Sequence, residues 1–258
     1  MERDSEIEFT SSVESAGYID LTIMTLREFG INIDTTESGF AIRGGQKYTA
    51  CETEVEGDYS NAAFWITAGV CARPAPHVKG TGVIVSGLKA DSAQGDRRIE
   101  ELLKDAGAVL EVHEYNGYLQ YRTEPTSLYG TEIDCGDIPD IVPVLSVAAA
   151  TAQGTTRFYN AGRLRFKESD RLAAMADCLS RIGARVRQNA DELIVRGGIL
   201  AGGCEVNGYN DHRIVMSMAV AALMCEKPVI IRGVEAVAKS YRNFFDEFVR
   251  LGGKIDVV

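Results

Sequence analysis

The sequence lacks the short motifs that announce most cofactors. It has no GxxxxGK[ST], GxSxG, HExxH or EF-hand loop, and KGTGVIVSG has neither the spacing nor the strand–helix context of a dinucleotide loop. ATP and NAD lose their support, and no cofactor is expected. The six cysteines (Cys51, Cys71, Cys135, Cys178, Cys204 and Cys225) form no CxxC pair and have no histidine at ligand spacing. No metal is expected, and the thiols read as reduced and mostly buried. The longest apolar runs, Ile141 to Ala152 and Ile214 to Cys225, fall well short of the ~20 residues that span a bilayer. MERDSEIEFTSS is charged where an export signal is apolar, so a cytoplasmic setting without a membrane partner is expected. Cations are also scarce: 27 Lys and Arg stand against 37 Asp and Glu, a formal charge of -10. That is the wrong sign for a nucleic-acid partner, so an anionic ligand must meet a local cluster of cations.

What the chain does contain is a repeat. YIDLTIMTLREFG, RRIEELLKDAG, RLAAMADCLSRIG and NFFDEFVRLGG each show a helical apolar pattern that stops at Gly30, Gly107, Gly183 and Gly252, at spacings of 77, 76 and 69 residues. A basic residue precedes each glycine by one turn, as suits a helix C-terminus. The first three are followed by strand–turn–strand patterns, one turning at Asn116-Gly117 and another around Ala190-Asp191. Ala-rich helices beginning near Asp58, Asp137 and Asp211 precede them, each aspartate placed as an N-cap. With the β-branched runs VIVSG, TTRFYN and VIIRG, each unit reads βαβαββ, an α/β repeat of about three full units plus part of another. The last unit closes on a single hairpin strand at 254–258.

Three helix starts carry cations where the helix dipole favours anions. Lys167-Glu168-Ser169-Asp170-Arg171 opens one helix, His212-Arg213 the next, and Lys239-Ser240-Tyr241-Arg242 the last. Two readings stand: solvated charges with Glu168, Asp170 and Asp211 as local partners, or convergence on a multiply anionic small molecule. Asp140, in GDIPDIVPVLS, suits either a helix cap or a general base beside those cations. His77 and His113 read as surface or loop residues, and Phe64, Trp65 and Ile66 as helix core.

Five ordered blocks, GDYSNAAF, GLKADSAQGD, KESDRL, YNDHRIVMSMAVAAL and KSYRNFFDEF, resemble the EPSP synthase (3-phosphoshikimate 1-carboxyvinyltransferase) family from about Tyr18 to Gly253. The resemblance implies the enolpyruvyl transferase fold: two domains of three βαβαββ units, their helix N-termini facing a cleft. It implies transfer of the enolpyruvyl group of phosphoenolpyruvate to the 5-hydroxyl of shikimate 3-phosphate, through a tetrahedral intermediate and with release of phosphate. Residue by residue, Arg171, Arg213 and Lys239 would hold phosphoenolpyruvate, with His212 beside them. Lys167 and Asp140 would contact the shikimate hydroxyls, Asp140 as the base. Glu168 would move a proton to and from the methylene carbon, and Ser15 and Tyr18 would meet the shikimate phosphate and ring. Arg163 stands where some members carry Asn, and Arg242 replaces the Pro common after KSY.

The same resemblance implies that residues 1–56 are the remnant of a first domain and 57–258 a second domain without its completing strand. The missing N-terminal half is then an expected partner, and the chain alone is expected to be inactive. Replacing Asp140 by Asn in a completed enzyme is expected to slow turnover with little loss of stability. The alternatives are an enolpyruvyl transferase acting on a UDP-sugar and an RNA-end-binding repeat protein.

Overall fold

The computed structural model describes residues 2–11, 13–72 and 82–257, so His77 lies outside the described residues. Seven α-helices occur among them: α1 (Ala16–Glu28), α2 (Tyr59–Cys71), α3 (Ile99–Asp105), α4 (Val142–Thr151), α5 (Arg171–Arg181), α6 (His212–Ala222) and α7 (Phe244–Arg250). The helices α2, α4 and α6 are apolar all round and nearly every residue in them is buried, as a helix enclosed by neighbours must be. They pack on one another at the centre of the main core. Around them, α3, α5 and α7 turn one apolar stripe inward, and a short 3-10 turn, Gly95–Arg98, leads into α3. Phe64 and Ile66 are fully buried, and Trp65 stacks on Phe244 at 4.9 Å between ring centroids. None of the helices is long and apolar enough to cross a membrane.

The stretch 132–196 completes the βαβαββ pattern. Its strands Glu132–Asp134, Thr155–Tyr159, Leu193–Arg196 and Arg185–Gln188 form, in that order, one sheet whose first pair is parallel. The stretch 59–123 shows the same order without an assigned first strand, its strand Ile84–Lys89 pairing with the hairpin Leu110–Tyr115 and Tyr118–Thr123. Asn116 and Gly117 turn that hairpin with both φ values positive, 51° and 79°. In the stretch 200–250 two short parallel pairs flank α6. Gly30, Gly107, Gly183 and Gly252 all adopt the left-handed conformation that ends a helix.

Residues 2–56 have their own small core. Ile23, Ile31 and Ile33 cluster there with Ile19, Leu26, Phe40 and Ile42 around them. The strand Ser5–Glu8, which the repeat gave no reason to expect, pairs with Gly39–Ile42 beside Ile33–Thr35.

Several local expectations are corrected. Asp137 does not cap α4, which begins five residues later without a side-chain cap. Tight turns through Ile138 and Ile141 occupy the interval, and Asp137 Oδ1 accepts from the Ser15 backbone N–H at 3.2 Å. Lys239 ends a 3-10 helix, Val234–Lys239, while α7 starts at Phe244. Residues 253–257 form no strand, and no ladder partner pairs with them among the described residues. Of the cysteines only Cys135 and Cys178 are buried; Cys71, Cys204 and Cys225 are half-buried and Cys51 is exposed.

Candidate active site

The cationic helix starts are built by capping. Asp170 accepts from the Ala173 amide and so starts α5 at Arg171, leaving Lys167, Glu168 and Ser169 in the preceding loop. Asp211 accepts from the Arg213 amide and starts α6 at His212. Both caps place an arginine in the first turn, and both arginines point at the chain just before α4, where Asp140 lies.

Arg171 is the hub. Its side chain is 1% exposed, yet its Nε bonds Asp211 Oδ2 at 2.9 Å, Nη1 bonds Asp140 Oδ1 at 2.6 Å and Nη2 bonds Glu168 Oε2 at 2.6 Å. Ser169 Oγ donates to the same Asp211 oxygen at 3.0 Å. Asp140 in turn gathers the cations: Arg213 Nη2 lies 3.4 Å from Oδ2, Lys167 Nζ 3.6 Å from Oδ1, and the Tyr18 hydroxyl donates to Oδ2 at 3.1 Å. Lys167, Arg171 and Arg213 are therefore balanced by Asp140, Glu168 and Asp211. The carboxylates thus offset the like charges within the cluster itself.

The field of that cluster shows in its titration. Burial pushes the Asp140 carboxyl upward, but Arg213, Arg171 and Lys167 together outweigh it and hold the group down at about 2. The His212 imidazole is shifted down by burial and by Arg213, against the opposing pull of Asp211. Its Nδ1 is buried, has no hydrogen-bond partner among the described residues and lies 3.9 Å from Asp211 Oδ1.

Lys239 does not join the hub. Its Nζ donates to the Asn210 carbonyl at 2.6 Å and to Asn210 Oδ1 at 2.9 Å, which ties it to the loop before α6. Ser15, at the start of α1 with φ 54°, receives Arg163 Nη1 on its hydroxyl at 2.8 Å, and Arg163 Nε also pairs with Glu14 at 2.8 Å. The structure thus brings Tyr18, Asp140, Lys167, Glu168, Arg171, His212 and Arg213 together, with Ser15 and Lys239 on its two flanks.

Sequence reasoning missed three roles. Asp211 was legible as a cap but not as the buried counter-ion of Arg171. Ser60 and Asp96 lie in the quoted blocks GDYSNAAF and GLKADSAQGD without any charge context. Asp96 is nevertheless 1% exposed and accepts from the Ser60 hydroxyl. No group of His, Cys, Asp and Glu among the described residues could hold a metal ion.

The family model described as EPSP synthase (3-phosphoshikimate 1-carboxyvinyltransferase) matches residues 1–248. The 3-phosphoshikimate 1-carboxyvinyltransferase of Clostridium novyi (strain NT) is 42% identical over 257 residues, 99% of this chain and 56% of that protein. That of Methanocaldococcus jannaschii is 40% identical over 254 residues, 98% and 57% of the two. The chain spans about half the length of the curated relatives it matches, and the matched part is their C-terminal portion. An EPSP synthase structure from Acinetobacter baumannii superposes with a TM-score of 0.82 at 29% identity, covering 100% of this chain and 58% of that one. The enolpyruvyl transferase NikO from Streptomyces tendae shares the fold, with a TM-score of 0.76 at 20% identity over 99% of this chain and 57% of its own.

Proposed function

This chain belongs to the EPSP synthase family, and we propose that it supplies one wall of a site that transfers the enolpyruvyl group of phosphoenolpyruvate to the 5-hydroxyl of shikimate 3-phosphate. The observation that carries this reading is Asp140, a single carboxylate held by Arg171, Arg213 and Lys167 and touched by Tyr18. The reaction needs cations for two phosphorylated substrates and a base for one hydroxyl, and these groups meet at one place.

In this reading Arg171, Arg213 and Lys239 hold the carboxylate and phosphate of phosphoenolpyruvate, with His212 offering a neutral ring nitrogen beside them. Lys167 and Asp140 hold the shikimate hydroxyls, and Ser15 and Tyr18 the phosphate and ring. The 5-hydroxyl oxygen bonds to C2 of phosphoenolpyruvate as Asp140 takes its proton, and Glu168 delivers a proton to C3. Loss of phosphate from the tetrahedral intermediate and return of a C3 proton to Glu168 restore the double bond. An anion on Arg171 and Arg213 also weakens their hold on Asp140, so substrate binding itself raises the affinity of the base for a proton.

The other wall of the cleft belongs to the part of the relatives that this chain does not span. Residues 1–56 are the end of the first domain and 57–258 the second, a division supported by their separate apolar clusters. A cytoplasmic setting is part of the same proposal. The test is phosphate release from the two substrates by this chain alone and by a fusion carrying the N-terminal portion of the Clostridium novyi relative ahead of it. Turnover by the fusion only is expected. Turnover by the chain alone, or none by the fusion under conditions where the intact relative works, overturns the proposal.

A further inference from the structure

The hub leaves out Lys239, and the turn that holds this cation has an uncommon backbone. Gly208, Tyr209, Asn210 and Asp211 close a tight turn, with the Asp211 amide donating to the Gly208 carbonyl at 2.9 Å. Both central residues have positive φ, 53° each. Glycine and asparagine suit such positions, whereas a bulky residue such as Tyr209 is an outlier there. Tyr209 is kept in place from outside: its amide donates to Asn207 Oδ1 at 2.7 Å and its hydroxyl to Asp177 Oδ2 of α5 at 2.8 Å. Strain of this kind persists where the surroundings enforce it, and it points to a use.

That use lies in where the turn presents Asn210. Its carbonyl oxygen and Oδ1 both face Lys239, whose Nζ donates to them at 2.6 and 2.9 Å. An ammonium carries three N–H groups, and no further partner among the described residues takes the remaining one. Asp211, the next residue, caps α6, so the turn that starts His212 and Arg213 on their helix also fixes a cation brought by the 3-10 helix Val234–Lys239. The backbone end of the lysine is held as well. Tyr241, just beyond it, accepts from Trp65 Nε1 of α2 at 3.2 Å and packs edge-on against that ring, with 6.2 Å between centroids. Lys239 is nonetheless exposed, and an exposed lysine without such ties loses much rotamer freedom when it meets a ligand.

We propose that Asn210 is a positioning residue for phosphoenolpyruvate: its two oxygens hold the Lys239 ammonium at the start of α6 and leave one N–H for an oxygen of the ligand. The inference rests on the reading above that Lys239 binds phosphoenolpyruvate. Asn210 acts only through the lysine. It lowers the ordering cost of binding, since the cation already stands at the end of α6 that carries His212 and Arg213. Asparagine meets both requirements of the position, because it tolerates the left-handed backbone and supplies a side-chain oxygen, whereas glycine meets only the first.

Asn210→Gly in the fusion described above keeps the positive φ and the carbonyl and removes Oδ1. It should raise KM for phosphoenolpyruvate roughly 5-fold, with kcat and KM for shikimate 3-phosphate within about twofold. The effect must pass through Lys239, so after Lys239→Gln the same change should move KM for phosphoenolpyruvate by less than about 1.5-fold. A turn that matters only for folding would act alike in both backgrounds or on both substrates. Either result, or an unmoved KM, overturns the inference while leaving the reaction intact. Absence of turnover by the wild-type fusion instead sinks the reaction, and calorimetry with phosphoenolpyruvate on the chain alone then decides the inference. A dissociation constant weakened roughly 5-fold by Asn210→Gly, and unmoved by it after Lys239→Gln, supports the pairing. An equal effect in both backgrounds, no effect, or no binding overturns it.

Discussion

Arg171 and Asp211 form an ion pair at 2.9 Å in which neither partner meets solvent, at 1% and 0% side-chain exposure. Such a pair depends on both members, because removing one leaves the other charged and buried. It also joins the first turns of α5 and α6 across successive repeats, so the same contact sets the spacing of the two helix starts that carry the site.

Asp211→Asn tests this contact, since Asn is as good an N-cap as Asp and α6 keeps its start. The change removes the charge alone. We expect a loss of about 3 kcal/mol or more in urea unfolding with an unchanged m-value. A loss under about 1 kcal/mol would mean that Asp140 and Glu168 suffice to neutralise Arg171.

Asp140→Asn in the restored-length fusion should lower turnover by roughly 100-fold or more. The structure revises the expectation of little stability loss, because this carboxylate neutralises three cations. Its charge contributes about 2 kcal/mol at neutral pH by proton linkage, and the variant should be less stable by at least that. It should also bind phosphoenolpyruvate more tightly in the chain alone, since a competing carboxylate is gone. Equal or weaker binding by calorimetry would argue that Asp140 orients the cations for the ligand and does not compete with it.

Anion binding is best tested away from the buried hub. Arg171 is too deeply paired to replace without unfolding, so Arg213→Gln and Lys239→Gln are the informative changes. If both hold phosphoenolpyruvate, the wild-type chain gains about 2.7 kcal/mol at ~100 times the dissociation constant, and the double variant loses that saturable gain. Sulfate controls for general exclusion effects, which both proteins should share. Identical phosphoenolpyruvate titrations of the two would remove these residues from the site.

Stability should have a maximum in mild acid. Asp96 is lifted to about 6, so the folded protein holds its proton more tightly than the unfolded chain, and stability rises as pH falls from about 6 towards 4. Asp140 is held at about 2 and Asp211 is also shifted down, so their contribution, complete above about 4, is lost as pH falls further. Melting temperatures at constant ionic strength should therefore peak between about pH 4 and 5, and Asp96→Asn should flatten the rise on the neutral side. A monotonic fall as pH drops from 7 would contradict the upward shift of Asp96.

What the sequence determined by itself is the repeat. Helix ends at Gly30, Gly107, Gly183 and Gly252, the Asn116-Gly117 turn and the caps Asp58 and Asp211 are local chemistry, written in residues a few positions apart. The cations at Arg171 and Arg213 were legible for the same reason, since a charge at the wrong end of a helix is a local contradiction. Asp137 escaped because its partner, the Ser15 amide, lies 122 residues away, and the turns at Ile138 and Ile141 delay α4. Tertiary structure alone decided that Asp140 faces three cations, that Arg171 meets Asp211, and that Asp96 is buried against the Ser60 hydroxyl. Each depends on which elements pack side by side, and burial and charge pairing act across those contacts rather than along the chain.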